Sequence, residues 1–339
     1  MVTIKDVARE AGVSYQTVSK VINNKVTLVK ESTRQQVLEV IERLGYEPNY
    51  MASHLRSGKR MSIGVLAGGH FKDVGRFDLA RLSSGIGERI EAENYFMMYL
   101  PQCGFFNNLE KILRRKVIDG LVIFIFPHHR ERFLNETLPI FRKMQLPVSV
   151  LHFTSDSYDC PNVGFNIRKA GYLAAKHVLD QGCRVIRCFS KDSAFGKQHW
   201  EGYAQAMCEE DLEPEPFIPH RSLLTVNDGY ELARKSLPNR QKSEAYLFNN
   251  DAVALGFIKA CREQQIRIPE DFAMVGCDNL LTDEYLDPLL TTIDRKYEKH
   301  GHIAADLLFE QIVNNRSLDD EDLRKTIDPE LIIRSSTTF

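Results

Sequence analysis

From Met61 onward the sequence alternates short apolar, β-branched runs with amphipathic stretches, and this alternation limits the possible folds more than any other feature. Ser62–Leu66, Phe96–Leu100, Gly120–Phe126, Pro147–Leu151, Asn162–Phe165, Val185–Phe189, Ala245–Phe248, Ala273–Gly276 and Thr291–Asp294 read as strands. Between them, Leu79–Glu93, Leu109–Arg115, a segment near Arg132–Lys143, Ala170–Gln181, Trp200–Glu209, Ala252–Gln264 and Tyr297–Asn314 carry helical spacing. Repeated strand-then-helix units imply parallel sheets with right-handed crossovers. Roughly ten strands in about 280 residues exceed one comfortable sheet, so the pattern predicts two Rossmann-like subdomains. Facing strand ends would enclose a cleft, the usual place for a ligand.

The first sixty residues follow another rule. Thr3 with Asp6 three positions on resembles a capping box, and Val7, Ala8 and Ala11 share one helical face. Gly12-Val13-Ser14 breaks that helix, and Ser14 can cap a second one whose inward residues are Val18, Val21 and Ile22. A third helix is predicted from about Ser32 to Leu44, with Val37, Ile41 and Leu44 inward and Gly45 as its stop. Three short helices with a glycine turn between the first two describe a helix-turn-helix.

Charge separates the same two regions. The whole chain of 339 residues carries 44 basic and 46 acidic side chains, a net charge of −2, which on average argues against nucleic acid. Residues 1–60 hold ten basic against six acidic residues, a net +4, and the remainder 34 against 40, a net −6. A basic module is therefore joined to an acidic one. With 43% hydrophobic and 27% charged residues the composition excludes a disordered or low-complexity chain. No apolar run approaches membrane-span length, and the N-terminus lacks the basic and apolar regions of a signal peptide. Seven scattered cysteines form no CxxC pair, so reduced thiols in a cytoplasmic protein are expected. His128-His129 and His300/His302 lack metal spacing, Gly85-Ile86-Gly87 lies inside a helical pattern rather than after a strand, and Phe195-Gly196-Lys197-Gln198 is no phosphate loop. No metal, cofactor or catalytic pair is expected.

The chemistry-bearing residues of the basic module lie on and around its second helix. With Val18, Val21 and Ile22 inward, Tyr15, Gln16, Ser19 and Lys20 face out. Gln can bond adenine in a bidentate way, Lys reaches guanine acceptors, and Tyr offers a ring and a hydroxyl. Thr3, Ser14, Thr17, Asn23 and Thr33 are of the type that bonds phosphates, and the helix start at Ser14 favours an anion. Short polar side chains on a helix in a basic module point to DNA.

Residues 3–60 resemble the headpiece of the lac-repressor (LacI/GalR) family of bacterial transcription regulators. The likeness spans the first helix, the turn, Ser14-Tyr15-Gln16-Thr17-Val18-Ser19, the third helix and Gly45-Tyr46-Glu47-Pro48-Asn49. Lys20 stands where the family's lactose repressor has arginine, which keeps the charge and loses the bidentate fork. The resemblance implies a hinge helix at Tyr50–Ser57 that enters the minor groove, with Leu55 as the wedge and Asn49, Ala52 and Ser53 on the groove side. Residues 61–339 are similar to the same family's effector domain, related to periplasmic binding proteins, through Asp119-Gly120-Leu121-Val122-Ile123, Asn250-Asp251-Ala252-Val253-Ala254-Leu255-Gly256, Val275-Gly276-Cys277-Asp278 and Leu290-Thr291-Thr292-Ile293.

The resemblance thus implies an all-α helix-turn-helix headpiece at 1–47, a hinge helix or linker at 48–60, and a core at 61–339. Within the core it implies an N-subdomain of about 61–160 plus 292–320 and a C-subdomain of about 161–291 plus 321–339. The implied function is repression of transcription at a pseudo-palindromic operator, switched by a small-molecule effector, a sugar or related metabolite, in the core cleft. The implied effector-facing residues are Phe126, Phe165, Asn166, His199, Trp200, Asp251 and Asp278. Asp251 would grip hydroxyls or cap the helix from Ala252, or both. Phe165 and His199 stand where the family places a carboxylate and a guanidinium, so an effector with fewer hydroxyls or more aromatic character is expected, stacked on Phe165 or Trp200. No heptad helix follows Ile333, so a homodimer is expected.

Overall fold

The computed structural model describes residues 2–22, 29–46, 60–68, 76–100, 105–154, 156, 158–220, 223–239 and 244–338. Asn23, Asn49, Ala52, Ser53 and Leu55 lie outside the described residues, and with them the expected hinge helix at Tyr50–Ser57. The chain divides into two compact units, Met1–Arg60 and Met61–Phe339.

The first unit is three helices, α1 (Ile4–Glu10), α2 (Tyr15–Ile22) and α3 (Glu31–Leu44). Asp6 accepts from the Thr3 amide at 3.0 Å and the Thr3 hydroxyl at 2.6 Å, which fixes the start of α1. Gly12 takes a φ of 61° in the turn to α2, a conformation open to glycine at little cost. The Ser14 hydroxyl accepts from the Thr17 amide at 3.1 Å and so caps α2. Gly45, left-handed, ends α3, with the Tyr46 amide returning to the Ile41 carbonyl. Val7, Ala8, Ala11, Val18, Val21, Val37 and Val40 form the core between them. Gln36 donates to the Ala11 carbonyl at 3.2 Å and Arg43 to Glu10 at 2.9 Å, tying α3 to α1.

The second unit holds two sheets. β1 (Ser62–Gly68), β2 (Phe96–Tyr99), β3 (Gly120–Ile125), β4 (Val148–Leu151), β5 (Asn162–Phe165) and β10 (Arg324–Ile327) form a parallel sheet of order β10-β5-β4-β3-β1-β2. β6 (Val185–Phe189), β7 (Glu244–Phe248), β8 (Phe272–Cys277), β9 (Thr291–Asp294) and β11 (Glu330–Ile332) form the other, of order β11-β9-β8-β7-β6, with β11 antiparallel to β9. β3, β4, β5, β7 and β8 are buried along their whole length, as parallel strands covered on both faces must be.

The expected subdomain limits move. β5 and β10 belong to the sheet of the N-terminal half, whereas β9 belongs to the other sheet. The chain therefore crosses between the sheets after Phe165, after Asp294 and after Ile327, a few residues beyond the expected limits of about 160, 291 and 320. A buried parallel strand is apolar in either sheet, so its composition does not say which one it joins.

Helices cover these sheets in pairs: α4 (Arg76–Ala92) with α11 (Tyr297–Asn314), α7 (Ile167–Asp180) with α8 (Ala194–Glu209), and α9 (Val226–Ser236) with α10 (Asp251–Glu263). Between them in chain order come α5 (Phe105–Arg114) and α6 (Leu138–Met144). Each of the three pairs crosses at a reciprocal pair of glycines. A Cβ on Gly85 would overlap the Glu298 carbonyl and one on Gly301 the Leu82 carbonyl. Gly171 and Gly202 face the carbonyls of His199 and Arg168 in the same way, and Gly229 and Gly256 those of Val253 and Val226. The helices touch backbone to backbone, which only glycine allows.

Candidate functional site

Two arrangements carry the expected chemistry, one in each unit. In the first, the cap at Ser14 places Tyr15, Gln16 and Lys20 on the exposed side of α2, opposite the buried Val18 and Val21. Tyr15 is 47% exposed, unusual for a large aromatic unless its ring meets something else. Ser19 and Thr17 are half-buried, and the Thr17 hydroxyl is 2.9 Å from that of Ser14. The Thr3 hydroxyl is held by Asp6, whose pKa is lowered by the Thr3 hydroxyl and amide hydrogen bonds. Thr33 is half-buried in the first turn of α3. The structure thus gathers Ser14, Tyr15, Gln16, Thr17, Ser19 and Lys20 at one helix, with four exposed donor-bearing side chains, Ser14, Tyr15, Gln16 and Lys20.

In the second unit a cavity of about 470 Å³ lies beyond the C-terminal ends of strands from both sheets. The end of β3 and the turn after it contribute Phe124, Phe126 and His128, and Phe153 follows β4. From the other sheet come Lys191 to Phe195, which run from the turn after β6 into the start of α8, Asn249 and Asn250 after β7, and Arg295 after β9. This is where doubly wound sheets bind ligands. A larger groove of about 980 Å³ runs along α11 and β10, but its five basic and five acidic side chains and its open form give it no focus.

Arg295 organises the cavity floor. It is buried, with Nε 3.1 Å from Asp278 Oδ1, and donates to the Tyr297 hydroxyl at 3.1 Å and the Asn249 carbonyl at 2.7 Å. Its guanidinium lies 4.6 Å from the Phe195 ring and 5.8 Å from the Phe153 ring, bridging side chains from both halves. Burial raises the pKa of Asp278, to about 6, against the pull of Arg295, so the carboxyl is still ionised at neutral pH.

Of the expected effector residues, Phe126 lines the cavity, and Asp278 acts through Arg295. The others lie elsewhere. Phe165 is fully buried in the core. Asn166 caps α7, accepting from the Lys169 amide at 3.1 Å and donating to Asp328 at 3.1 Å. His199 is fully buried, its Nδ1 3.2 Å from the Ser190 hydroxyl and 3.6 Å from the Cys188 thiol. Trp200 packs on Phe217 and donates to the Glu215 carbonyl at 3.0 Å, beside a separate recess of about 30 Å³. Stacking on Phe165 or Trp200 is therefore not available to a ligand in this cavity.

Asp251 is the first residue of α10 and the cap is Asn250, which accepts from the Val253 amide at 3.2 Å. The Asp251 carboxyl turns away from the cavity and accepts from the Thr292 hydroxyl at 2.8 and 2.9 Å and from the Leu280 amide at 3.3 Å. Burial raises its pKa, and the neighbouring Asp283 raises it further. Phe153, Lys191, Phe195, Asn249 and Arg295 were missed in the sequence. Each follows a strand by one or two residues or opens the next helix, and that position was the available signal.

Among the described residues no three metal-ligating side chains cluster, and no helix is long and apolar enough to cross a membrane.

Comparison with known proteins decides what these two arrangements belong to. Residues 3–49 match the family model "Bacterial regulatory proteins, lacI family", and residues 175–337 match "Periplasmic binding protein-like domain". Over 99% of its length the chain is 32% identical to the HTH-type transcriptional repressor PurR of Pasteurella multocida, covering 98% of that protein. The chain belongs to the lacI family of bacterial regulatory proteins. A second PurR, of Mannheimia succiniciproducens, is 30% identical over 99% of the chain and 98% of that protein. The lac repressor dimer bound to operator and the anti-inducer ONPF superposes with a TM-score of 0.76 at 21% identity, covering 99% of each chain. The transcriptional regulator CelR–cellobiose complex superposes with a TM-score of 0.70 at 22% identity, over 99% of this chain and all of that one. This lacI-family regulator therefore joins a DNA-binding headpiece to a two-sheet, periplasmic-binding-protein-like effector core.

Proposed function

We propose that this regulator represses transcription in the cytoplasm by binding a pseudo-palindromic operator as a homodimer, and that a small molecule in the core cavity switches it. The observation that carries the DNA reading is the exposed set Tyr15, Gln16 and Lys20 on a capped helix of a module with net charge +4. The α2 face presents both a base-reading amide and a cation, and the capped helix start favours phosphate. The core, at net −6, repels DNA and so confines contact to the first sixty residues.

Two surfaces of the core support self-association. The edge strand β2 exposes Phe96, Met98 and Tyr99, and the loop after β8 exposes Leu281 at 70% and Tyr285 at 79%. Exposed apolar side chains of this size, on a strand with an open edge, are an aggregation hazard unless a partner covers them. A gel shift with the chain's own upstream DNA, run with sedimentation, tests both parts. A salt-sensitive shift by a dimer is expected. A monomer that does not shift the DNA contradicts the proposal.

An enzymatic reading finds no footing in the pair that most resembles one. Cys188 and His199 lie 3.6 Å apart, but burial pushes the thiol up to about 12 and the imidazole down to about 3. Neither ionises at neutral pH, so they form no nucleophile and base.

A further inference from the structure

We infer that the core cavity is built for a flat aromatic acid rather than a polyhydroxylated sugar. This rests on reading the cavity as the effector site. Phenylalanine rings line it from two sides: Phe124, Phe126 and Phe153 on the six-stranded-sheet side, Phe195 at the start of α8. Phe126 is steadied by Phe124 at 4.6 Å and by His128, stacked at 5.7 Å. Phe153 is steadied by Tyr297 at 5.4 Å and His300 at 5.2 Å. Rings presented from both subdomains suit a ligand with two flat faces, because offset stacking and edge contacts both need a planar partner.

A sugar would need acceptors for its hydroxyl protons, and carboxylates at strand ends are the obvious ones. The two expected to serve, Asp251 and Asp278, are already used. Asp278 is held by Arg295 and by the Tyr297 hydroxyl at 2.7 Å, and Asp251 by Thr292 and Leu280. Neither lines the cavity. The hydroxyls of a sugar would therefore find no buried carboxylate among the described lining residues to replace the water they lose.

The charge that remains is positive. Asp278 neutralises Arg295, but Lys191, half-buried at the cavity wall, makes no ion pair among the described residues. The one carboxylate among the described lining residues, Asp192, is exposed. The start of the sixteen-residue helix α8 at Ala194 and Phe195 adds backbone donors to the same wall. An anionic group on the ligand would meet Lys191 there while its ring lies among Phe126, Phe153 and Phe195.

Isothermal titration of the full chain with a matched set tests this: 4-hydroxybenzoate, its amide, hypoxanthine as an uncharged planar base, ribose and glucose. The acid is expected to bind at least about tenfold more tightly than its amide, as a charge-assisted contact requires, with the sugars weaker than both. Phe195→Ala should weaken the acid and the amide alike. Lys191→Gln should erase the preference for the acid while leaving the amide unchanged. Tighter binding of ribose, glucose or hypoxanthine than of the acid overturns the inference, as does equal binding of acid and amide or no binding of the acid. A gel shift on the same preparation separates the two readings. Binding of the acid without any DNA shift sinks the repressor reading alone, and a DNA shift without acid binding sinks this inference alone.

Discussion

The Arg295 guanidinium is 3.1 Å from the Asp278 carboxylate, and both side chains are almost wholly buried. Removing one partner strands the other. Arg295→Met is expected to lower unfolding free energy by about 3–5 kcal/mol in urea titration, the usual cost of an uncompensated buried charge. Arg295→Met combined with Asp278→Asn should recover part of that loss. Equal stability of Arg295→Met and the parent protein would show that the pair is not structural.

The glycine crossings make a prediction with an internal control. Gly202→Ala and Gly85→Ala push a methyl into a facing carbonyl, and each should destabilise by about 1–3 kcal/mol or more through forced separation of two helices. Gly87 lies in the same helix as Gly85, but its nearest neighbour would be the end of Met97 at 3.9 Å. Gly87→Ala should therefore be neutral or stabilising, by up to about 1 kcal/mol. Thermal melts of the three variants test this, and a similar loss at Gly87 would contradict the close-approach reading.

Buried histidines set an acid limit. Burial holds His152 at about 4 and His199 and His300 at about 3, against an ordinary value of 6.5. Below pH 6.5 the unfolded chain takes up protons that the folded chain refuses until about pH 4 or lower. Stability from these groups is therefore full above pH 6.5 and falls as pH drops toward 4. Asp278 and Asp283, both raised to about 6 by burial, act in the opposite direction between roughly pH 6 and 4. The readout is thus a difference in slope. His199→Asn should make the loss between pH 7 and 5 shallower by about 2 kcal/mol, whatever it does to stability at pH 7. An unchanged slope would mean that His199 is hydrated.

Reading of DNA by α2 divides by side chain. Gln16→Ala should cost about 1–3 kcal/mol at one base pair of each half-site and relax the preference there. Lys20→Ala should weaken binding with a smaller salt slope, the result for a phosphate contact, or relax a guanine preference if it reaches a base. Both side chains are exposed, so folding should be unaffected by circular dichroism. A Gln16→Ala protein with full specificity would move recognition away from this face.

Much of this was legible in the sequence because periodicity and capping are local. The pattern Thr3/Asp6, Gly12, Ser14 and Gly45 marks where α1, α2 and α3 start or stop. The strands from Ser62 to Asp294 were visible as apolar runs, whereas β10 and β11, short and partly polar, were not. Sheet membership was hidden because local pattern marks β5 and β9 as strands without saying which strands they pair with. The site was less legible, because direction decides it. Asp251 stands at a strand end as expected, yet Thr292 and Leu280 draw its carboxyl inward. Phe165 and Phe153 are both phenylalanines near strand ends, and only the second reaches the cavity. Arg295 follows β9 at a crossover between sheets, a place that only the paired strands reveal.

Those three crossings also govern how regulators of this kind can be recombined. An engineer who cuts once at Phe165 and grafts a foreign effector half would also import β10 and α11 from the donor. α4 would then have to mate with an α11 it never met, across a seam where Gly85 and Gly301 leave no room for a mismatched side chain. A workable exchange takes the sensing half as two separate pieces, one between Asn166 and Asp294 and one after Ile327, and leaves the host's own α11 in place.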